Sequence, residues 1–246
     1  MTKAEIQLIK SLADKRARDE QGLFIAEGEK LIAEIAASGL TIRKLYTLEK
    51  SLQRMEREIV SPKEMERISQ LKSASSALAI VEIPQHNLDI ASLKGKLTLV
   101  LDGVQNPGNL GTIIRLADWY GIEDIVCSPT SADSYNPKVV QASMGAIIRV
   151  RVHYTPLPPF LESAQKHGLA IYGTALDGEN LYKAELQNEA LIIMGNEGRG
   201  LSPEVIEMVD RKLFIPPYPA DRMGSESLNV AIATAVICAE FRRAKK

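Results

Sequence analysis

Three stretches of this chain gather residue types that can do chemistry, and each is joined to a short apolar run. Residues 102–115 read DGVQNPGNLGTIIR, with amides at Asn106 and Asn109 and an arginine, Arg115, six residues after the second of them. Residues 195–200 read GNEGRG, a glycine-rich loop whose acidic member is Glu197. Residues 227–229, Ser-Leu-Asn, open a strongly apolar segment. The glycine-rich loop is neither the G-x-G-x-x-G of dinucleotide folds nor a phosphate loop ending in Gly-Lys-Ser/Thr. A carboxylate there would repel a phosphate, so Glu197 suits an amine, a sulfonium or an arginine. Spacing leaves plainer readings open. Asn106-Pro107-Gly108 can be a turn, Asn109 the cap of the next helix, Arg115 a solvated helical residue, and the glycine loop an ordinary strand-to-helix turn.

The elements that must position these residues are legible as an alternation of apolar runs. Residues 190–241 hold two buried-strand patterns, 191–194 and 212–215, each followed by a polar loop, 195–200 and 216–226. Ser202-Pro203 reads as an N-cap followed by the first helical residue, and a helix from about 228 ends near Phe241. Upstream, strands are expected at 97–101, 125–127, 150–153 and 169–172, with helices at 111–119, 137–147 and 160–167. Short connections between alternating strands and helices predict an α/β domain with a mostly parallel sheet covered on both faces. Loops at the carboxyl ends of such strands are where ligands bind.

Residues 1–85 alternate in shorter units. Residues 3–20 read as helix and charged turn without clear caps, 23–26 and 42–48 as strands, 29–38 as a helix stopped by Gly39, and 77–83 as a buried strand. Ser61-Pro62-Lys63-Glu64 is a capping-box start. The expected organisation is a small α/β domain at 1–85, a linker at 86–95 and a larger domain at 96–246.

Composition narrows the classes. With 246 residues, 45% hydrophobic and 25% charged, the chain has the make-up of a globular protein with a substantial core. The apolar run 230–239 is about half the ~20 residues a membrane span requires. It therefore reads as a core or interface helix. The N-terminus carries charges throughout and lacks the apolar core of a secretory signal. Cys127 and Cys238 stand far apart in sequence, which supports neither a disulfide framework nor a zinc site, and fits a reducing cytoplasm. The net charge is −1, with 14 basic against 12 acidic residues in 1–80 and 16 against 19 in the rest. So small an asymmetry means that any polyanion site is a local patch. Lys10, Lys15, Arg16 and Arg18 form the densest early cluster, for which a solvated helix face is the alternative.

NPGNLGTIIR (106–115), MGNEGRGLS (194–202) and SLNVAIATAV (227–236) together resemble, in order, the three motifs of the SpoU (TrmH) family of RNA ribose 2'-O-methyltransferases. The resemblance covers about residues 97–243. Residues 1–85 resemble more loosely the small L30e-like substrate-binding domain that many members carry. The resemblance implies a SPOUT catalytic domain whose C-terminal part forms a deep trefoil knot, an exception to the rule that chains do not thread loops. It also implies S-adenosyl-L-methionine as cofactor and no metal. Asn109, Arg115, Glu197, Ser227 and Asn229 become the catalytic set. Thr174, Leu176, Gly195, Asn196, Gly200, Ile215 and Leu228 become the cofactor set.

The family's proposed base is the arginine of the first motif, here Arg115, yet a guanidinium normally stays protonated. Clamping a phosphate is the competing role. Further implications are a homodimer paired through the catalytic domain and an RNA substrate, ribosomal ahead of transfer RNA. Two rivals remain at this stage: a non-catalytic RNA-binding or ribosome-assembly protein on the same scaffold, and a dinucleotide-dependent oxidoreductase, which lacks its fingerprint.

Overall fold

The computed structural model describes residues 1–219 and 227–243. The chain divides into two compact units, the first made of Met1–Gln85 and Asp133–Ile148, the second of the remaining described chain. The segment Asp133–Ile148, which sequence assigns to the larger domain, clusters with the first unit.

In the first unit, β1 (Leu23–Glu27), β4 (Ala77–Glu82), β2 (Ile42–Thr47) and β3 (Glu58–Ile59) form a sheet in the order β1-β4-β2-β3. β4 runs antiparallel to both β1 and β2. Its side chains alternate between two cores, which is why the run reads as continuously apolar. Leu78 and Ile80 pack with Ile6, Ile9 and Leu12 of the N-terminal segment and with Met65 and Ile68. Ala77, Ala79 and Val81 pack with Ile32 and Ile35, and with Val140 of the 133–148 segment. Helices α1 (Lys3–Ser11), α3 (Glu29–Ser38), α4 (Pro62–Ile68) and α6 (Pro137–Ser143) supply most of these residues, and α2 (Lys15–Gln21) follows α1.

Sequence reading found no caps at 3–20, and the structure corrects this. Thr2 and Glu5 form a capping box at the start of α1, and Asp14 caps α2 by accepting from the Arg16 N–H. The break between the two helices lies at residues 12–14, and most of the expected charged turn is the second helix, α2. The other local signals hold: Ser61 and Glu64 form the predicted box, and Gly39 ends α3 in the left-handed conformation. The helix expected over 137–147 stops at Ser143, because Met144 is left-handed at φ 50° and Gly145 follows at φ 90°.

The second unit is built on six parallel strands: β5 (Leu97–Leu101), β6 (Asp124–Cys127), β7 (Arg151–Tyr154), β8 (Ile171–Asn180), β9 (Ala190–Met194) and β10 (Arg211–Phe214). Their order is β10-β8-β9-β5-β6-β7. All five residues of β5 and all five of β9 are buried. Burying each large aliphatic side chain is worth about 1.5–3 kcal/mol, so these central strands are the stiff frame. The helices are α5 (Pro107–Trp119), α7 (Leu157–Lys166), α8 (Pro203–Ile206) and α9 (Val230–Arg242).

Most strand boundaries lie within a residue of expectation, and the large departure is in β8. β8 continues to Asn180, since it pairs with β10 twice: Tyr172 and Gly173 face Arg211 and Lys212, then Glu179 and Asn180 face Leu213 and Phe214. Residues 174–178 bulge out between the two pairings. Ile215 lies just beyond β10. α5 and α9 pack against each other. α9 buries Val230, Ala231, Thr234, Ile237, Cys238 and Phe241, while Ile232 stays 55% exposed. Among the described residues, no helix is long and apolar enough to cross a membrane. The loop expected over 216–226 lies partly outside the described residues.

Candidate functional site

β5 and β9 are neighbours at the point where the strand order reverses, with β6 and β7 to one side and β8 and β10 to the other. Crevices at the carboxyl ends of such a pair are the usual ligand sites of open parallel sheets. Here the two loops leaving those ends are 102–106 and 195–200, and the Asp102 N–H donates to Met194 O at 2.9 Å.

Asn106, not Asn109, caps α5. Its Oδ1 accepts from the Gly108 and Asn109 amides at 2.8 and 3.2 Å, and Pro107 is the first helical residue. The assignment of Asn109 as cap is thus corrected, and the correction matters because it frees the Asn109 side chain. Asn109 Nδ2 donates to Glu197 Oε1 at 2.9 Å, and Asn109 Oδ1 accepts from Asn229 Nδ2 at 3.0 Å. Asn229 in turn caps α9, its Oδ1 accepting from the Ala231 and Ile232 amides at 3.0 and 3.3 Å.

The direction of this relay is fixed by chemistry. A helix N-terminus offers only donors, so the oxygen of Asn229 must face it and its NH₂ must point to Asn109. The amide of Asn109 is then turned so that its NH₂ meets a carboxylate, which only accepts. Two side-chain hydrogen bonds, spanning 88 and 120 positions of sequence, join the three segments.

The glycine loop is held by its own second residue. Asn196 Oδ1 accepts from the Gly198 and Arg199 amides at 3.0 and 3.1 Å, and Asn196 Nδ2 donates to Gly103 O at 2.7 Å. The backbones of Asn196 and Gly200 exchange two hydrogen bonds of 2.9 Å. This folding brings Gly200 against Gly195, where an added Cβ would lie 2.4 Å from the Gly200 carbonyl carbon. Ser202 starts α8 as expected, without a side-chain cap bond, and its N–H donates instead to the buried Asp102 carboxylate at 2.7 Å.

Arg115 is exposed on α5, and Ser227 is exposed ahead of Asn229. Neither is hydrogen-bonded to Asn109, Glu197 or Asn229 among the described residues. Thr174 donates its hydroxyl to Ile193 O at 3.2 Å, which places the start of the β8 bulge over the β9 end. Leu176 in that bulge is 67% exposed, Leu228 is 52% exposed, and Ile215 is half-buried. The exposed Glu197 carboxylate and the exposed apolar side chains of Leu176 and Leu228 suit a positively charged, flat-ringed ligand more than a polyphosphate.

Sequence reasoning missed three positioning residues: Asp102, Asn106 and Ser128, which accepts from the Gly103 N–H at 2.9 Å. The Asn-Pro dipeptide was a usable signal for Asn106, since Pro favours the position after an N-cap. The other two act over long sequence separations and leave no local trace. Of the basic cluster of the first unit, one member is corrected. Arg18 is only 1% exposed and pairs with Asp133, while Lys15 and Arg16 pair with Asp19 and Glu20 one helical turn on.

Comparison with known proteins identifies the parts. Residues 96–239 match the model of the SpoU rRNA Methylase family, and residues 3–88 match an MRM3-like substrate binding domain. The 23S rRNA (guanosine(2553)-2'-O)-methyltransferase RlmP of Bacillus subtilis is 29% identical over 95% of this chain and 94% of its own length. A TrmH-family structure from Porphyromonas gingivalis shares 37% identity and a TM-score of 0.87, covering 99% of this chain and 98% of that one. An AdoMet-bound rRNA methyltransferase from Sinorhizobium meliloti shares 27% identity and a TM-score of 0.85, covering 99% and 95%. Two further curated relatives match over 60% of this chain, which spans only 53% and 58% of their lengths.

Proposed function

The chain belongs to the SpoU rRNA methylase family, and from that premise we propose that it transfers a methyl group from S-adenosylmethionine to a ribose 2'-hydroxyl of ribosomal RNA. The observation that carries this reading is the relay Asn229 to Asn109 to Glu197, which unites the three family segments at the carboxyl edge of a parallel sheet. The MRM3-like match over residues 3–88 supports an RNA substrate held by the first unit. The likeness to relatives named for 23S rRNA supports ribosomal over transfer RNA.

When bound, S-adenosylmethionine supplies a methyl group already activated by its sulfonium. The chain has to orient the acceptor, keep the cofactor loop in one conformation and offset the charge on the attacking oxygen. Glu197, held on one oxygen by Asn109, presents a fixed negative charge at the loop, suited to a cation or to Arg115. We assign Arg115 to clamping the phosphate beside the target ribose. Its guanidinium has no acidic partner among the described residues, and its planar fork matches phosphate oxygens. Ser227 and Asn229 orient the ribose or the arginine. Leu176, Ile215 and Leu228 line the adenosine side, with Gly195, Asn196 and Gly200 forming the loop backbone and Thr174 fixing the bulge.

The same reading includes a deep trefoil knot in the C-terminal part, pairing of two copies through the catalytic unit, and a cytoplasmic location, which two free buried cysteines suit. Labelled methyl transfer to ribosomal RNA lacking the modification, with mapping of the 2'-O-methylated position, tests the activity. Arg115→Ala should lower transfer by about 100-fold or more while calorimetry finds cofactor affinity unchanged. Lost cofactor affinity would remove Arg115 from the acceptor side.

A further inference from the structure

Arg18 is an unusual residue to find buried, and its partners explain the burial. Its Nη1 donates to Leu12 O and Ala13 O at 2.8 and 2.9 Å, closing the end of α1. Its Nε donates to Asp133 Oδ2 at 2.9 Å, and its Nη2 bonds the same oxygen. The second carboxylate oxygen of Asp133 accepts from the Tyr135 N–H at 3.3 Å, and the Tyr135 ring packs 4.8 Å from Phe24. Breaking such a buried pair leaves an uncompensated charge, so its geometry is enforced.

Asp133 is the first residue of the segment that clusters with the first unit, and Ala132, one peptide bond before it, is in the second. Ala132 is gripped on both sides. Its N–H donates to Val104 O at 2.8 Å and its carbonyl accepts from the Tyr154 hydroxyl at 2.6 Å. Val104 is wholly buried, and its neighbour Gly103 donates to Ser128 Oγ and accepts from Asn196 Nδ2. Asn196 in turn sets the Gly198 and Arg199 amides of the glycine loop.

We propose that Arg18 and Asp133 are a positioning pair for the cofactor loop: the pair fixes Ala132, Ala132 fixes Gly103 and Val104, and these fix Asn196. Because coupling between sites is reciprocal, an RNA that orders the first unit around Arg18 tightens the loop, and a filled loop favours the RNA-competent first unit. The inference deepens the methyltransferase reading and rests on it for the identity of the cofactor. The connection of the network itself does not depend on that reading.

The test measures amide hydrogen exchange of Gly198 and Arg199 in the full chain, alongside S-adenosylmethionine binding by calorimetry. Arg18→Met should speed exchange at those two amides while the β5 and β9 amides stay protected, and should raise the cofactor dissociation constant about tenfold. Arg18→Lys should restore part of both, and Tyr154→Phe, at a half-exposed side chain, should shift both in the same direction by a smaller factor. Combined with Asn196→Ala, the effect of Arg18→Met should fall short of multiplicative. Unchanged loop exchange in folded Arg18→Lys and Tyr154→Phe, or effects that multiply in the double variant, would overturn the proposal. If Arg18→Met does not fold, those two milder variants decide. Should the wild-type chain fail to bind S-adenosylmethionine, the methyltransferase reading falls, and the exchange measurement still decides the coupling.

Discussion

At the scale of single residues, the site is a set of amides whose orientation is dictated by what each must face. Asn109 and Asn229 were named by their place in the motifs. What sequence did not reveal is that Asn106 takes over the cap, so that Asn109 can bridge Asn229 and Glu197. Both asparagines sit within reach of the helix start, and only the fixed position of the other two segments separates their roles. Gly195 offers the sharpest residue-level prediction. A methyl group there meets the Gly200 carbonyl carbon at 2.4 Å and the Leu201 nitrogen at 2.6 Å, backbone atoms that cannot step aside. Gly195→Ala should therefore leave secondary structure intact by circular dichroism and move the loop by about an ångström, for which a loss of about 100-fold in kcat/KM is expected. Wild-type kinetics would mean that the loop does not shape the site.

At the scale of elements, sequence reading succeeded wherever an apolar run was short and bounded by turn residues. β5 is as expected, β9 begins one residue earlier and β10 is displaced by one residue. It failed where the deciding contact came from another element. The bulge at 174–178 exists because β10 pairs with β8 in two registers, which no pattern within β8 shows. Arg18 reads as a surface cation of a charged helix until Asp133, 115 positions later, is brought beside it. α9 reads as apolar all round. Its inner face is buried, and Ile232 at 55% exposure, Leu228 at 52% and, on the packed neighbour α5, Trp119 at 83% are left outside. We infer that a second copy covers exposed apolar side chains of this helix pair, since such side chains left outside a packed core are typical of an interface. Light scattering should give twice the chain mass, and Ile232→Asp should shift it toward the single-chain mass. A wild-type protein of single-chain mass at micromolar concentration would count against pairing.

At the scale of the whole molecule, the ionisable groups that folding shifts set its tolerance of acid. In the first unit the Glu5 carboxyl is held down to about 2 by hydrogen bonds from Lys44 and from Thr2. In the second, burial opposes ionisation of Asp124, but hydrogen bonds from His153 and Arg151 and the charge of Arg151 hold it well below the usual carboxylate range. A carboxyl with a depressed folded pKa stabilises the native state above its unfolded value, here 4.5 for Glu5, and that stabilisation is lost as the pH falls through the folded value. His86, lowered from 6.5 mainly by burial, works in the same direction from a higher pH, because the unfolded chain takes up its proton first. Glu27 works oppositely: burial raises its carboxyl even though Ser69 and the Gln70 N–H bond it, so acidification relieves a buried charge. The melting temperature should thus be flat from pH 8 to about 7, decline gently below about 6.5 and fall steeply between about 4.5 and 2. Because Glu5 and Lys44 are partly open to solvent, salt should blunt the share that they contribute. Calorimetric melting across this range checks the sign. A midpoint that stayed level down to pH 3 would mean that the Glu5 and Asp124 pairs persist in the unfolded chain or contribute nothing to the fold, and Asp124→Asn, measured at pH 7 and pH 3, separates those outcomes: it should destabilise at both and by less at pH 3, because the folded carboxyl stays ionised well below its unfolded value of 3.8.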